Sequence, residues 1–229
     1  MMAWTEFALA WLMFLLSHFL PSLGLRDRLI GAMGRRSYFA VYGLVSVLSL
    51  VWLIGAAARA PYLELWSPEP WSRWVPVLIM PYAIFLATFA IGSRYPFTLG
   101  GRRAASFDPA SPGLAAHSRH PLLLALVLWS GAHLPPNGDL AHVLLFGSFA
   151  ALGLAAIPMF DHRARMALTA DETAAMFRAA PILSLKVWIT GAWLWANRRP
   201  LLWRMTGSAF VVALITLGHG PVIGVSPLP

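Results

Sequence analysis

Long apolar runs recur from one end of the chain to the other, and they constrain its fold more than any other feature. Hydrophobic residues make up 59% of the sequence and charged residues only 11%, whereas soluble domains carry about 25% charged residues. A helix that crosses a bilayer needs about 20 largely apolar residues. Because runs near that length occur repeatedly, the sequence predicts an all-α fold, a polytopic transmembrane helix bundle in contact with the lipid bilayer.

The apolar runs predict about six membrane spans. They are placed at about residues 3–21, 38–58, 74–92, 119–134, 140–160 and 201–222. Between the last two spans, Thr169 and Glu172 have the spacing of a capping box for a short helix. The apolar stretch Ile182–Ala196 is short for a span and two arginines follow it, so we predict a second helix there, lying in the cytoplasmic interface. We expect a single membrane domain over residues 1–229.

The distribution of basic residues predicts the orientation of these spans. The loops after the first and third spans hold four arginines each, and residues 161–204 hold seven basic residues. These alternate regions contain 15 of the 17 Lys and Arg residues, and such clusters mark cytoplasmic loops. We therefore predict a multi-pass protein of the bacterial inner membrane with both termini outside the cytoplasm. Charges placed in this way are topology signals and do not indicate a nucleic-acid partner.

Two histidines inside predicted spans are the strongest candidates for chemistry in a chain that has no cysteine. His18 lies in the apolar run Trp4–Leu20, and His133 lies near the end of Pro121–Leu134. Without cysteine, disulfides, iron–sulfur clusters and thiolate ligands are excluded. An imidazole costs free energy to bury in hydrocarbon unless it has a partner, so these two histidines are candidate functional residues. Two other roles stay open: His18 bonds a carbonyl on a neighbouring helix, and His133 caps the turn that follows its span.

Short motifs around these histidines resemble NnrU-type membrane proteins. The first is His18-Phe-Leu-Pro21-Ser22 with Arg26, Gly34 and Ser46, and the second is Ser118-Arg119-His120-Pro121 with Trp129, Ala132-His133-Leu134, Asn137-Gly138-Asp139, Asp161 and Arg163. The resemblance covers about residues 3–190, and the final span at about 201–222 lies beyond it.

The NnrU type is similar to plant and cyanobacterial zeta-carotene isomerase, a membrane enzyme that holds haem b between two histidines. The resemblance implies that haem b is the cofactor here and that His18 and His133 are its axial ligands. Neutral imidazole is a good ligand for haem iron. Arg119 and Arg163 would then pair with the haem propionates as charge-assisted donors. His120 is the alternative second ligand.

Three classes of function remain open from the sequence. The resemblance implies a haem protein of redox or nitric oxide metabolism linked to denitrification, or an isomerase-like enzyme. Its ligand would be a small gas or a hydrophobic polyene. Isoprenylcysteine methyltransferase-like enzymes also carry an Arg-His-Pro segment, in which His120 would contact S-adenosylmethionine. The third class is a non-enzymatic membrane accessory protein, and no catalytic residue is assigned in any of the three.

Overall fold

The regular secondary structure of the described chain is helical. The computed structural model describes residues 2–19, 24–101 and 107–228. Within these ranges, extended backbone pairs only at an isolated antiparallel bridge between Glu64 and Asp139. The all-α class predicted from the apolar runs is therefore confirmed. The predicted end of the first span, with the Pro21-Ser22 part of its motif, lies outside the described residues.

Eight α-helices form within the described ranges. They are α1 (Met2–Phe19), α2 (Leu25–Met33), α3 (Arg35–Arg59), α4 (Trp74–Ala90), α5 (Pro121–His133), α6 (Leu140–Ala167), α7 (Ala170–Ala179) and α8 (Gly191–Ile223). Short 3-10 turns precede α4, α5 and α8, at Pro70–Arg73, Gly113–Ala116 and Lys186–Ile189.

Four segments of the described chain are long and apolar enough to cross a membrane. They are α3, the segment Pro70–Ala90 that contains α4, α6 and α8. The other two predicted spans correspond to the apolar helices α1 and α5, and α5 has only 13 residues. At 1.5 Å per residue, α5 extends about 20 Å and is shorter than the hydrocarbon core. The predicted polytopic architecture is confirmed, with α5 shorter than a full span.

The helices near the C-terminus are arranged differently from the prediction. The separate interfacial helix predicted at Ile182–Ala196 is wrong, because α8 begins inside that stretch and continues for 33 residues. The polar residues 197–199, in its second turn and just beyond, do not end it, and Asn197 Nδ2 donates to Trp193 O one turn back at 2.9 Å. Pro200 removes one backbone donor from the helix. The remaining backbone hydrogen bonds of α8 are enough for the helix to continue past Pro200.

The short helix α7 is capped as the sequence predicted. Thr169 Oγ1 accepts a hydrogen bond from Glu172 N at 3.3 Å, and Glu172 Oε2 accepts one from Thr169 N at 2.9 Å. This reciprocal pair satisfies two backbone donors that have no partner inside the helix.

The chain divides into two compact units. Unit 1 is Met1–Ser67 with Asn137–Leu145, and unit 2 is Pro68–Pro136 with Phe146–Pro229. In unit 1, α1 packs against α3. The carboxylate of Glu6 in α1 accepts hydrogen bonds from Trp52 Nε1 at 3.2 Å and Arg59 Nη2 at 2.6 Å, both on α3. These bonds fix the pairing of the two helices.

In unit 2, α4 packs against both α5 and α8. Gly153 of α6 lies against α5, where a Cβ on Gly153 would come within 2.7 Å of Val127 Cγ2. The glycine therefore permits a close approach of these two helices. Unit 2 also contains residues 91–101 and 107–120, between α4 and α5, which carry most of the buried polar groups described below.

Candidate functional site

A cluster of buried polar side chains lies in unit 2, directly before α5. Arg119 is 6% exposed, and His117 and His120 are 0% exposed. Pro121 occupies the first position of α5, where the missing N–H costs no helix hydrogen bond. Burying charged and polar side chains at this helix start requires a partner for each of them.

Arg119 forms a bidentate ion pair with Asp161 of α6. Nε donates to Oδ1 at 2.9 Å and Nη2 donates to Oδ2 at 2.6 Å. The remaining nitrogen, Nη1, donates to Ala180 O at 3.1 Å. The guanidinium also lies 4.4 Å from the centre of the Phe177 ring, a cation–π distance. Each of the three guanidinium nitrogens is therefore bonded within the chain.

His120 shares the carboxylate of Asp161. Nε2 lies 2.9 Å from Asp161 Oδ1, and Nδ1 lies 3.1 Å from Thr98 Oγ1. Because a carboxylate accepts, Nε2 carries the proton and Nδ1 accepts the hydrogen bond of the Thr98 hydroxyl. Asp161 thus binds Arg119 and His120 together, and the four side chains form one network. We call this network, Thr98–Arg119–His120–Asp161, the buried ionic cluster.

Backbone hydrogen bonds hold the same segment against the residues that follow α7. Arg119 N donates to Pro181 O at 2.9 Å, and Ser184 N donates to His117 O at 2.8 Å. The buried ionic cluster is therefore fixed through both its side chains and its main chain. This arrangement favours a rigid structural role over a mobile catalytic one.

Two titratable groups beside the cluster are buried in their neutral forms. Burial lowers the pKa of His117, and the hydrogen bond from its Nδ1 to Ser184 O at 2.9 Å opposes that shift. His117 Nε2 accepts from the Tyr82 hydroxyl at 3.0 Å. Burial raises the pKa of Tyr95 to about 12. Both groups therefore stay uncharged at neutral pH.

The two histidines predicted as haem ligands each bond a carbonyl of their own helix. In α1, His18 is exposed, and its Nδ1 donates to Phe14 O at 2.8 Å. In α5, His133 is half-buried, its Nδ1 donates to Trp129 O at 2.7 Å, and its ring stacks 5.1 Å from that of Phe146. Both bonds place the ring proton on Nδ1, so Nε2 carries the lone pair. Among the described residues, the carbonyl that His18 bonds thus belongs to its own helix, whereas the sequence had left open one on a neighbouring helix.

The five residues predicted to contact a cofactor fall in different places. Arg119 and His120 are brought together by Asp161 in the buried ionic cluster. Arg163 follows on the same helix as Asp161 but is exposed, with its guanidinium 5.2 Å from the centre of the Phe160 ring. His18 lies in unit 1 and His133 in unit 2, and their role as a ligand pair stays a prediction.

Sequence reasoning gave no role to Asp161, which joins the cluster. α6 continues to Ala167, so Asp161 lies inside a candidate span, whereas the predicted span ends at residue 160. A carboxylate inside a span needs a charged partner. If the predicted span had ended one residue later, it would have included Asp161 and indicated that Asp161 needs such a partner. Thr98 lies in a loop, and no comparable signal marks it.

Fold and site together define the class of this chain, an all-helical integral membrane protein with a buried ionic cluster at the start of a short apolar helix. Its residues 6–227 match the family model described as NnrU protein, and the chain belongs to the NnrU family. The match includes all of α8, beyond the limit predicted at residue 190. The final helix is therefore part of what the family shares.

Part of the chain is also similar to a curated relative. Nurim of Xenopus laevis is 31% identical over 118 residues, which cover 43% of this chain and 41% of Nurim. The match thus spans about two fifths of the length of that relative. No solved structure is significantly similar to this chain.

Proposed function

We propose that this NnrU-family membrane protein binds haem b, with His18 and His133 as the axial ligands. We further propose that it serves redox or nitric oxide metabolism linked to denitrification, or the cis–trans isomerisation of a polyene. The observation that carries the proposal is the hydrogen bond from each Nδ1 to a helix carbonyl. Haem would supply one-electron chemistry and an iron coordination site.

The two imidazoles fit the chemistry of an axial ligand. A histidine that ligates a metal almost always donates its other ring N–H to a carbonyl, carboxylate or water, which fixes the tautomer and the ring orientation. His18 and His133 make such a bond to the carbonyl four residues earlier. Aromatic rings pack beside each: Tyr42 lies 6.0 Å from His18 and Trp129 lies 5.8 Å from His133, between ring centres. These contacts orient the rings before any ligand binds.

The two arginines differ in their fit to a haem propionate. Arg163 is exposed and stacks on an aromatic ring, so its guanidinium edge can donate to a carboxylate. Arg119 does not fit, because Asp161 and Ala180 accept from all three of its nitrogens. His120 fits poorly as an iron ligand for the same reason, since both of its nitrogens are bonded. The proposal therefore retains Arg163 and assigns Arg119 and His120 to structure.

Absorption spectroscopy of the full chain tests the proposal. The protein is purified in detergent from cells supplied with a haem precursor, and spectra are recorded before and after dithionite. We expect the narrow reduced bands of low-spin haem with two imidazole ligands. His18→Ala and His133→Ala should each abolish the low-spin bands. His162→Ala, which removes an exposed histidine of α6, is the matched control and should leave them unchanged.

Two results would contradict the proposal. Wild-type protein that contains no haem under these conditions rejects haem binding. Low-spin bands that survive either substitution reject His18 and His133 as the ligand pair. Arg163→Gln adds a separate measurement, since loss of a propionate partner should weaken haem retention during gel filtration without changing the band positions.

The two reaction classes are separated with the reduced protein. Nitric oxide added to it should shift the spectrum if the site serves small-gas chemistry. A cis-polyene supplied in micelles should be converted to its trans isomer, measured by chromatography, if the protein is an isomerase. If haem-loaded protein gives neither response, haem binding stands and both reactions are rejected.

A further inference from the structure

Two neighbouring cavities of unit 2 meet at Arg204. The larger has a volume of about 470 Å³ and lies beyond the end of α4, against residues 107–115. The smaller has a volume of about 330 Å³ and lies between α4 and α8. Pro200 and Arg204 of α8 line both of them. The guanidinium of Arg204 therefore lies at the junction of the two cavities.

The larger cavity has the charge that an anion requires. The charged side chains on its lining are Arg94, Arg204 and Asp108. Asp108 Oδ1 already accepts a hydrogen bond from Ala110 N at 2.9 Å. With two arginines against one aspartate, the described lining carries a surplus positive charge. Asn197, only 9% exposed, adds a polar side chain to the same wall.

Arg204 is held at the depth where α4 ends. Its Nη2 donates to Ile91 O at 2.7 Å, and Ile91 is the residue that caps α4. The guanidinium also lies 6.0 Å from the centre of the Phe89 ring. Guanidinium has five N–H groups, and the bond to Ile91 uses one. The others remain available among the described contacts, and their planar arrangement suits two oxygens of a phosphate.

The smaller cavity has the surface that an acyl chain requires. Besides the two shared residues, its lining consists of Thr88, Ile91, Trp203 and Gly207. Trp203 is 78% exposed. The helices on either side are both candidate membrane spans, so the groove between them is open to hydrocarbon. A ligand that filled both cavities would be anionic at one end and apolar at the other.

We propose that the two cavities together bind one anionic phospholipid. Its phosphate lies in the larger cavity against Arg204 and Arg94, and one acyl chain lies in the groove between α4 and α8. Basic pockets between membrane helices at the lipid headgroup level recognise anionic lipids in this way. The site is in unit 2 and does not depend on the proposed haem.

Native mass spectrometry of the full chain in detergent tests the proposal. The protein is titrated with dioleoyl phosphatidylglycerol or with dioleoyl phosphatidylcholine, and bound lipid is counted. We expect tighter binding of phosphatidylglycerol. Arg204→Gln and Arg94→Gln should each weaken it about fivefold, the effect of one basic contact near a membrane surface. Arg178→Gln removes an exposed arginine of α7 and serves as the charge control.

A glycine substitution tests the acyl-chain groove. A Cβ on Gly207 would meet nothing within 4 Å, so Gly207→Phe should fill the groove without disturbing α8. We expect it to weaken phosphatidylglycerol binding. Gly218→Phe, at another open glycine of the same helix, should not.

Several outcomes would overturn the proposal. They are equal binding of the two lipids, an equal loss in Arg178→Gln, and full competition by inorganic phosphate with no effect of Gly207→Phe. The last result would assign the site to a soluble phosphate compound. If Arg204→Gln does not fold, the lipid titration is made with Arg94→Gln alone, because Arg94 is exposed.

Discussion

Removing one partner of the Arg119–Asp161 pair should strongly destabilise the protein. The two side chains are 8% and 7% exposed, so Arg119→Met would leave a buried carboxylate with His120 as its remaining side-chain partner. Breaking a buried ion pair on one side costs about 3–5 kcal/mol of unfolding free energy. We expect Arg119→Met and Asp161→Leu each to lose that amount.

The double variant should be less destabilised than either single variant. Arg119→Met with Asp161→Leu removes both buried charges together, and such replacements are often neutral. His120 Nε2, which donates to Asp161 Oδ1 at 2.9 Å, would then lack its acceptor. An unpaired buried donor costs about 1–3 kcal/mol. We therefore expect the double variant to lose about 1–3 kcal/mol, far below the sum of the single effects.

The assay is reversible unfolding in mixed micelles, followed by tryptophan fluorescence as the fraction of denaturing detergent rises. Thermal melting gives a second measurement, in which each single variant should lose about 6–20 °C. Arg178→Met, at an exposed arginine of α7, controls for loss of charge. Losses that simply add in the double variant, or a single loss below about 1 kcal/mol, would refute a coupled buried pair.

Three smaller predictions concern pH and close packing. Burial lowers the pKa of His117 below its usual 6.5, so the neutral imidazole stabilises the fold above that pH. The melting temperature should therefore fall as the pH drops from 6.5 toward the lower folded pKa, and less so in His117→Gln; parallel profiles would contradict this. A Cβ on Gly138 would overlap the Trp66 carbonyl, so Gly138→Ala should cost about 1–3 kcal/mol, whereas Gly147→Ala, inside α6 with open space around it, should not lower the melting temperature. Gly153→Ala should also lower the melting temperature, because its Cβ would lie 2.7 Å from Val127 Cγ2, and Val127→Ala should restore it; failure of that rescue would reject the contact as the cause.

The apolar helices could be predicted because the bilayer sets both their length and their composition. The capping box of Thr169 and Glu172 was equally readable, since it depends on residues three positions apart. The extent of α8 could not be predicted from the sequence. The polar residues 197–199 resemble a helix end, but Asn197 bonds to Trp193 O at 2.9 Å and the helix continues. Whether a polar cluster ends a helix depends on side-chain conformations that the sequence pattern does not specify.

The buried ionic cluster could be predicted only in part. Motif resemblance selected Arg119 and His120, but their partners lie far away along the chain. Thr98 is 22 residues from His120, and Ala180 is 61 residues from Arg119. Neither the hydroxyl of Thr98 nor a backbone carbonyl carries a local pattern that indicates such a pairing. Asp161 was accessible in principle, because a carboxylate within a span demands a partner.

The contacts of His120 separate the proposed haem site from the methyltransferase hypothesis. A cofactor at His120 would have to displace Asp161 Oδ1 or Thr98 Oγ1, which lie 2.9 Å and 3.1 Å from its two nitrogens. A hydrogen bond to a charged group contributes about 1.5–3 kcal/mol, so any such cofactor must first overcome that loss. Binding at Nε2 of His18 or His133 would leave intact the bonds that their Nδ1 atoms make to Phe14 and Trp129. The Arg-His-Pro segment on which both hypotheses draw is thus better explained as the structural start of α5, and the case for haem depends on the other two histidines.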